Sequence, residues 1–457
     1  MKKTKDLTLG KPVVLIFMFA LPLFLGNLLQ EIYNIADTMI VSYNLGQNDF
    51  AAMGATAAIF SLIIGFLNGT ANGFSLVTAR YFGAKDYSSV KKAIAATLIL
   101  SLVISAIVTV VSLIYVDDLL RILGTPDEIM GSASRYITII LSGAVITMSY
   151  NAMAGIMRAL GNSAAPIIFL AVSSICNIIL DLVFIKCLKT GIGGAALATV
   201  ISQAISSCAC IIFLKKKYAF ILPSLSDFKI SAGFAGELLM TGLSMGMMMS
   251  LVSIGTVVMQ KSVNSFGTQI VISHTAARKI SHIYMMFLST ISTSSATFAS
   301  QNFGAGKFRR IRTGVIRSVE IDFVWSAFAM LLTFATAPQI IHLLTGSSDK
   351  QVIETAAKYL YYNLPFYFVL SPLLVLRSTM QGIGKNVIPL ISSSIELAGK
   401  FLVVLWAAPK FGYFGIIMSE PVIWIACCIF LSITFFLDPR IKKTFHSDES
   451  ESEQNFL

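Results

Sequence analysis

Asp37 and Asp181 each stand inside a long apolar run, and neither has a lysine or arginine one helical turn away. Asn177 precedes Asp181 by four residues and Tyr33 precedes Asp37 by four, so each pair shares one helix face. Thr199 adds a hydroxyl early in the apolar run that follows. An ionisable group inside a membrane is costly and is a functional candidate by default. Apolar surroundings disfavour an ionised carboxylate, and two carboxylates sharing one site disfavour it further. Such a pair is suited to holding a proton, or to binding Na⁺ through carboxylate, amide and hydroxyl oxygens. The alternative is that Asp37 and Asp181 lie near the outer interface and are simply hydrated.

Other polar residues within apolar runs are weaker candidates. Glu396 and Lys400 are four apart with the acid first, the favourable order for a local ion pair, and a structural role is expected. Glu420, followed by Pro421, is placed to line the second half of the protein, but nothing near it in sequence pairs it. Arg377, Lys261, Arg278 and Lys279 are expected to snorkel or to sit at interfaces. Pro22 removes a backbone hydrogen bond from the first run, giving either a hinge below Asp37 or a static bend. Met245, Met247, Met248 and Met249 form a soft surface that suits a drug cavity, lipid contact or packing. The six cysteines read as small apolar fillers, and His274, His282, His342 and His446 show no ligand spacing. No metal cofactor is expected beyond a coupling ion.

The elements that must position these groups are membrane helices. Apolar residues make up 56% of 457 positions and charged residues 12%, which leaves too little charge to cover a soluble surface. Each crossing takes about 20 residues as a helix. Runs between polar breaks give spans near 12–42, 51–80, 93–116, 132–157, 164–186 and 192–214. A second set lies near 232–262, 268–300, 313–337, 353–380, 386–408 and 412–437. The expected fold is all-α, with twelve transmembrane helices. The amino end, Met1-Lys2-Lys3-Thr4-Lys5, resembles the start of a signal peptide, but the run after it is too long and contains Pro22 and Asp37. It reads as an uncleaved first span.

Basic residues alternate between connections. One set carries Lys2, Lys3, Lys5 and Lys11, then Arg80, Lys85, Lys91 and Lys92, then Arg158, then Lys215 to Lys217. It continues with Lys307, Arg309, Arg310 and Arg312, then Lys385, then Arg440, Lys442 and Lys443. The alternate set is poor in them, so both termini are expected in the cytoplasm, in a multi-pass protein of the cell membrane. The net charge of +11 is spread over these short loops and forms no basic face, so no nucleic-acid partner is expected. The acidic end, Asp448-Glu449-Ser450-Glu451, reads as a disordered tail.

The two halves repeat. Phe82-Gly83-Ala84 recurs as Phe303-Gly304-Ala305, and Gly124-Thr125-Pro126-Asp127 is matched by Gly346-Ser347-Ser348-Asp349. Met157, Gly161 and Pro166 recur as Met380, Gly384 and Pro389, and Gly191 and Gly194 as Gly412 and Gly415. The expected division is an amino-terminal six-helix lobe over 1–214, a linker over 215–231, a carboxy-terminal lobe over 232–437 and a tail over 438–457. An even number of spans makes the repeats parallel, so rocking of the lobes would open a cleft between them to each side in turn. No G-x-x-x-x-G-K-[ST] loop is present, so pumping would draw on an ion gradient or a partner. No catalytic pattern of serine, histidine or zinc ligands appears, and an enzyme is not expected. Both helices bearing the aspartates run outward and Thr199 starts an inward one, which places all these groups in the outer half of the amino-terminal lobe.

With these residues in place, the chain resembles the multidrug and toxic compound extrusion (MATE) family over essentially its full length. The resemblance is carried by Leu21-Pro22 through Asp37, by Ala79-Arg80-Tyr81-Phe82-Gly83-Ala84, by Arg158-Ala159-Leu160-Gly161-Asn162 and by Asn177-Ile178-Ile179-Leu180-Asp181. It implies export of cationic or amphipathic small molecules in exchange for Na⁺ or H⁺, with membrane lipids as surroundings and a monomer as the expected state. It also implies a cation site at Asp37, Asn177, Asp181 and Thr199, with Tyr33 beside it and Pro22 as the bending proline. Acids found in the seventh and tenth spans of the branch that includes NorM are missing from Met247 to Ile254 and from Tyr361 to Met380. That departure favours a DinF- or MepA-like branch, with coupling centred on the amino-terminal lobe. The rival reading is a flippase of lipids or lipid-linked oligosaccharides from the same superfamily, in which a more basic central cleft is usual.

Overall fold

In lipid every backbone N–H and C=O must be satisfied within its own segment, so long apolar runs fold as helices. The computed structural model describes residues 6–444, and among these it holds helices and turns with no strand. Lys2, Lys3, Lys5, His446 and the acidic run from Asp448 to Glu451 lie outside the described residues.

The first six spans are α1 (Pro12–Leu45), α2 (Gln47–Gly83), α3 (Tyr87–Ile122), the pair α4 (Asp127–Ser142) and α5 (Ala144–Ala159), α6 (Ala164–Leu182), and α7 (Ile192–Lys217). The next six are α8 (Ala232–Asn264), α9 (Thr268–Gly304), α10 (Phe308–Thr345), and α11 (Lys350–Asn363) running on into α12 (Tyr367–Gly382). They end with α13 (Val387–Leu402), the short α14 (Ala408–Phe411), and α15 (Tyr413–Phe436). Ten of these spans are long and apolar enough to cross a bilayer. The α4–α5 pair, bent by 45°, makes an eleventh. The twelfth, α9, has 37 residues, but its second half is rich in serine and threonine, which makes it more polar than the rest. Several helices exceed the length one crossing requires and must tilt or project.

Local chemistry explains the breaks. The α4–α5 bend falls at Gly143, where an added Cβ would stand 2.5 Å from a methyl of Val200 on α7. Asp86 accepts a hydrogen bond from the Ser89 backbone N–H at 3.0 Å and caps the start of α3. Hydrogen bonds from Ser89 hold the Asp86 carboxyl below the usual carboxylate range. The recurring glycines Gly161 and Gly384 have φ of 81° and 84°, left-handed turns that follow corresponding helices in the two halves.

Contacts divide the chain into two compact units, one built from Leu21–Ser250 and the other from Leu7–Ala20 together with the residues from Leu251 onward. These units differ at two places from the division into 1–214, 215–231 and 232–437. The cuts fall inside α1 and α8, so a continuous helix serves both units in each case.

Within the first unit, the opening half of α8 packs on α2 through glycines. A Cβ on Gly73 would stand 2.6 Å from the Gly242 Cα and from the Thr241 carbonyl oxygen, so only glycine permits this approach. Arg80 and Tyr81 of α2 reach Glu237 at 2.8 and 2.7 Å, and the Tyr81 ring stacks on Phe234 at 5.3 Å. Within the second unit, the segment before α1 is held by the α9–α10 turn. The Leu7 N–H donates to the Gln301 side chain at 3.0 Å, Asn302 donates to the Leu7 carbonyl at 3.2 Å, and Lys307 donates to the Thr8 carbonyl at 2.9 Å.

Candidate ion-coupling site

Asp37 comes from α1, Asn177 and Asp181 from one face of α6, and Thr199 from α7, all within the first unit. The structure brings the four together. The Asn177 amide donates to the Thr199 hydroxyl at 3.4 Å, and Thr199 donates to the Ala195 carbonyl at 3.2 Å. The carboxyls of Asp37 and Asp181 are near enough for their charges to interact, and Tyr33, Asp37 and Thr199 line one cavity. Asp37 is 5% exposed, and Asn177 and Asp181 are fully covered. Both acids are therefore shielded from bulk water.

The electrostatics of the pair are set by what it lacks. Asp37 Oδ1, both Asp181 carboxyl oxygens and Asn177 Oδ1 are buried without a donor. Ionised carboxylates only accept hydrogen bonds, so the two acids cannot satisfy each other. Buried polar atoms are nearly always paired in folded proteins, and four orphans in one place mark a site for a further group. Beside them opens a cavity of about 220 Å³, lined by Tyr33, Asn34, Asp37, Tyr136, Thr199 and Gln203 among others. Directly after Asp181 the helix widens into a π-helical turn over Val183–Cys187, a feature frequent at functional sites. A matching π turn, Val403–Ala407, follows Lys400 in the second half.

Tyr136 escaped the sequence reading. It lies on α4, whose apolar face gives no hint that one tyrosine meets the cavity. Asp322 on α10 was missed as well. It is fully buried, accepts from Ser371 at 3.0 Å, and leaves Oδ1 without a partner, as are the hydroxyls of Ser318 and Ser326 one turn to either side.

In the second unit, Glu396 takes Lys400 at 3.0 Å, the local pair expected, and also Arg377 at 3.1 Å. Glu420, unpaired by sequence, accepts from Arg278 at 2.6 Å and from the Tyr359 hydroxyl at 3.1 Å. Arg377 and Arg278 thus pair with acids on other helices, Glu396 of α13 and Glu420 of α15, and do not snorkel, whereas Lys261 and Lys279 are exposed. His274 meets the Tyr413 hydroxyl at 3.1 Å, a satisfied polar contact. Met245 and Met248 are buried, while Met247 and Met249 are exposed. Pro22 sits inside α1, which continues through it unbroken.

Among the described residues ten helices, or eleven with the bent α4–α5 pair, are long and apolar enough to cross a bilayer, which makes this a multi-pass membrane protein. The sequence profile of the MatE family matches residues 22–183 and again 244–404, in step with the internal repeat, and the chain belongs to that family of multidrug and toxic compound extrusion proteins. It is 25% identical to the probable multidrug resistance protein YoeA of Bacillus subtilis (strain 168) over 84% of each chain. It is 23% identical to the multidrug export protein MepA of Staphylococcus aureus (strain N315) over 92% of each. Among solved structures, a MATE protein in a bent conformation superposes with a TM-score of 0.86 at 25% identity, covering 97% of this chain and 99% of the other. An outward-facing multidrug resistance MATE transporter gives 0.85 at 25% identity, covering 95% and 98%.

Proposed function

We propose that this protein is a secondary active multidrug exporter of the cell membrane, exchanging cationic or amphipathic compounds for Na⁺ or H⁺ by alternating access. The observation that carries this reading is the buried pair of acceptor-only carboxyls, Asp37 and Asp181, with Asn177 Oδ1 left open beside them. A proton shared by the pair, or a Na⁺ held by these oxygens and Thr199, supplies the missing partner. A buried polar group left unsatisfied costs about 1–3 kcal/mol, and more when charged. Loss of the ion therefore favours a different arrangement of α1 and α6, and an ion that binds two conformations unequally shifts their balance. The names of the relatives support export of drugs as the cargo side of the exchange. The test is uptake of a cationic dye into proteoliposomes, with Na⁺ and pH gradients imposed separately. One gradient is expected to drive uptake; if neither does, ion coupling is wrong.

The basic connections support both termini in the cytoplasm, with residues 1–214 and 232–437 as two six-span repeats that each begin on that side. Single cysteines at the exposed positions Lys92 and Arg309 are expected to react with an impermeant maleimide only in inverted vesicles. Labelling of either position in intact cells overturns this topology.

Pro22 has the role of a hinge in this reading. It sits beside the point where α1 passes from one compact unit to the other. Pro22→Ala restores the missing hydrogen bond and stiffens the helix. The variant is expected to reach wild-type abundance yet transport several-fold more slowly. Unchanged kinetics at equal abundance would reduce Pro22 to a passive bend.

A further inference from the structure

The second unit holds a buried polar centre of opposite sign to the acid pair. Arg377 and Lys400 flank Glu396, with side-chain exposures of 6%, 7% and 13%. Arg278 pairs with Glu420, whose other oxygen takes the Tyr359 hydroxyl, so both Glu420 oxygens are engaged. Three cations thus face two carboxylates. Arg278 offsets Glu420, and Glu396 offsets only one of its two partners, which leaves one positive charge without compensation. An uncompensated buried charge is strongly destabilising, so this centre favours an anion.

There is a place for one. Lys400 and Arg278 line a common cavity with His274, Gln260, Ser419 and Glu420. Its volume is about 30 Å³. One water needs roughly 10–15 Å³ on this scale, so the space accommodates the two oxygens of a carboxylate. Glycine builds the cavity wall: a Cβ on Gly255 would stand 2.7 Å from Lys400 Cδ, so the bare backbone lets the lysine stem lie flat against α8. The Arg278 side chain is 33% exposed, which leaves the cavity open to a ligand from outside the unit.

We infer that this cavity is an anion subsite that receives the carboxylate of an amphipathic cargo, so that the compounds carried include acids and zwitterions. The inference takes export from the reading above but is independent of the coupling ion. A carboxylate here accepts charge-assisted hydrogen bonds from Lys400 and Arg278 while its apolar body stays outside the cavity. Glu420 does not repel it fully, because its charge is already offset by Arg278.

The experiment measures binding to purified protein without any gradient, so it succeeds or fails separately from ion-driven transport. The probes are dansylglycine and its methyl ester, which share a fluorophore and differ in the carboxylate. The acid is expected to bind about tenfold or more tightly than the ester. Lys400→Met removes the excess charge while leaving Glu396 paired with Arg377, and is expected to abolish the preference. Gly255→Ala keeps every charge but pushes the Lys400 stem aside, and is expected to weaken binding of the acid alone. It also serves if the Lys400 variant does not fold, as judged by its melting curve. Lys279→Met, on the exposed side of α9, is expected to keep the preference. Equal affinity for acid and ester in the wild type overturns the inference, as does an unchanged preference in both the Gly255 variant and a folded Lys400 variant. Acetate displacing dansylglycine at equal concentration also overturns it, since that result means a small-ion site and not a cargo subsite.

Discussion

Asp37→Asn and Asp181→Asn are each expected to abolish ion-dependent drug efflux in a protein that inserts, folds and melts at or above the wild-type temperature. The combination follows from the orphaned oxygens. Each asparagine keeps the size of the aspartate, loses its ionisable charge, and gains an amide N–H that donates to the facing carboxyl. The contact between α1 and α6 is thereby satisfied permanently, without the ion. Stability is expected to hold or rise, because a donor now serves oxygens that lacked one. Coupling is a difference in ion affinity between conformations, and a site that needs no ion has no such difference to transmit. The measurements are efflux of a cationic dye at matched abundance, ion-triggered release of bound drug from purified protein, and a melting curve. If both variants exchange drug for the ion at near wild-type rates, coupling lies elsewhere, and Glu396 and Glu420 become the next candidates. A variant that loses efflux together with its fold would mark the pair as structural.

The opposite pattern is expected at Glu396. Glu396→Ala leaves the guanidinium of Arg377 and the ammonium of Lys400 buried with no counter-charge. Removing one partner of a buried ion pair typically costs about 3–5 kcal/mol, a large share of the roughly 5–15 kcal/mol that holds a folded protein. The variant is expected to lose most of its membrane abundance and to melt well below the wild type. Glu396→Gln keeps the side-chain oxygen as an acceptor for both cations and is expected to fall between the two. Its effect on efflux per molecule is expected to be smaller than that of either aspartate variant. A Glu396→Ala protein with wild-type melting would contradict the network, because it would mean that Arg377 and Lys400 reach water.

What was legible in the sequence was whatever depends on neighbours along one helix. The apolar runs located all twelve spans, and the four-residue spacing put Asn177 and Asp181 on one face. The same spacing gave the Glu396–Lys400 pair. What stayed hidden depends on side chains that meet across the fold. Arg278 and Glu420 are 142 residues apart, and nothing local to either announces the other. Asp322 was passed over although it stands inside the run read as a span at 313–337. The repeat of Ser318, Asp322 and Ser326 every four residues was the available signal. The cuts inside α1 and α8 were invisible for a different reason: hydropathy reads a continuous helix as one object and cannot say which neighbours each half will have.

The binding of Leu7 and Thr8 to the α9–α10 turn has a consequence for how the molecule is made. The Leu7 N–H and its Gln301 acceptor are separated by 294 positions. At synthesis rates of about 5–20 residues per second, the partner of this segment does not exist until roughly 15–60 s after the segment itself is translated. During that interval the segment before α1 waits with its final contacts unmade. Closure of the second unit is therefore a late event in biogenesis, and a segment made ahead of the first span is among the last to find its place.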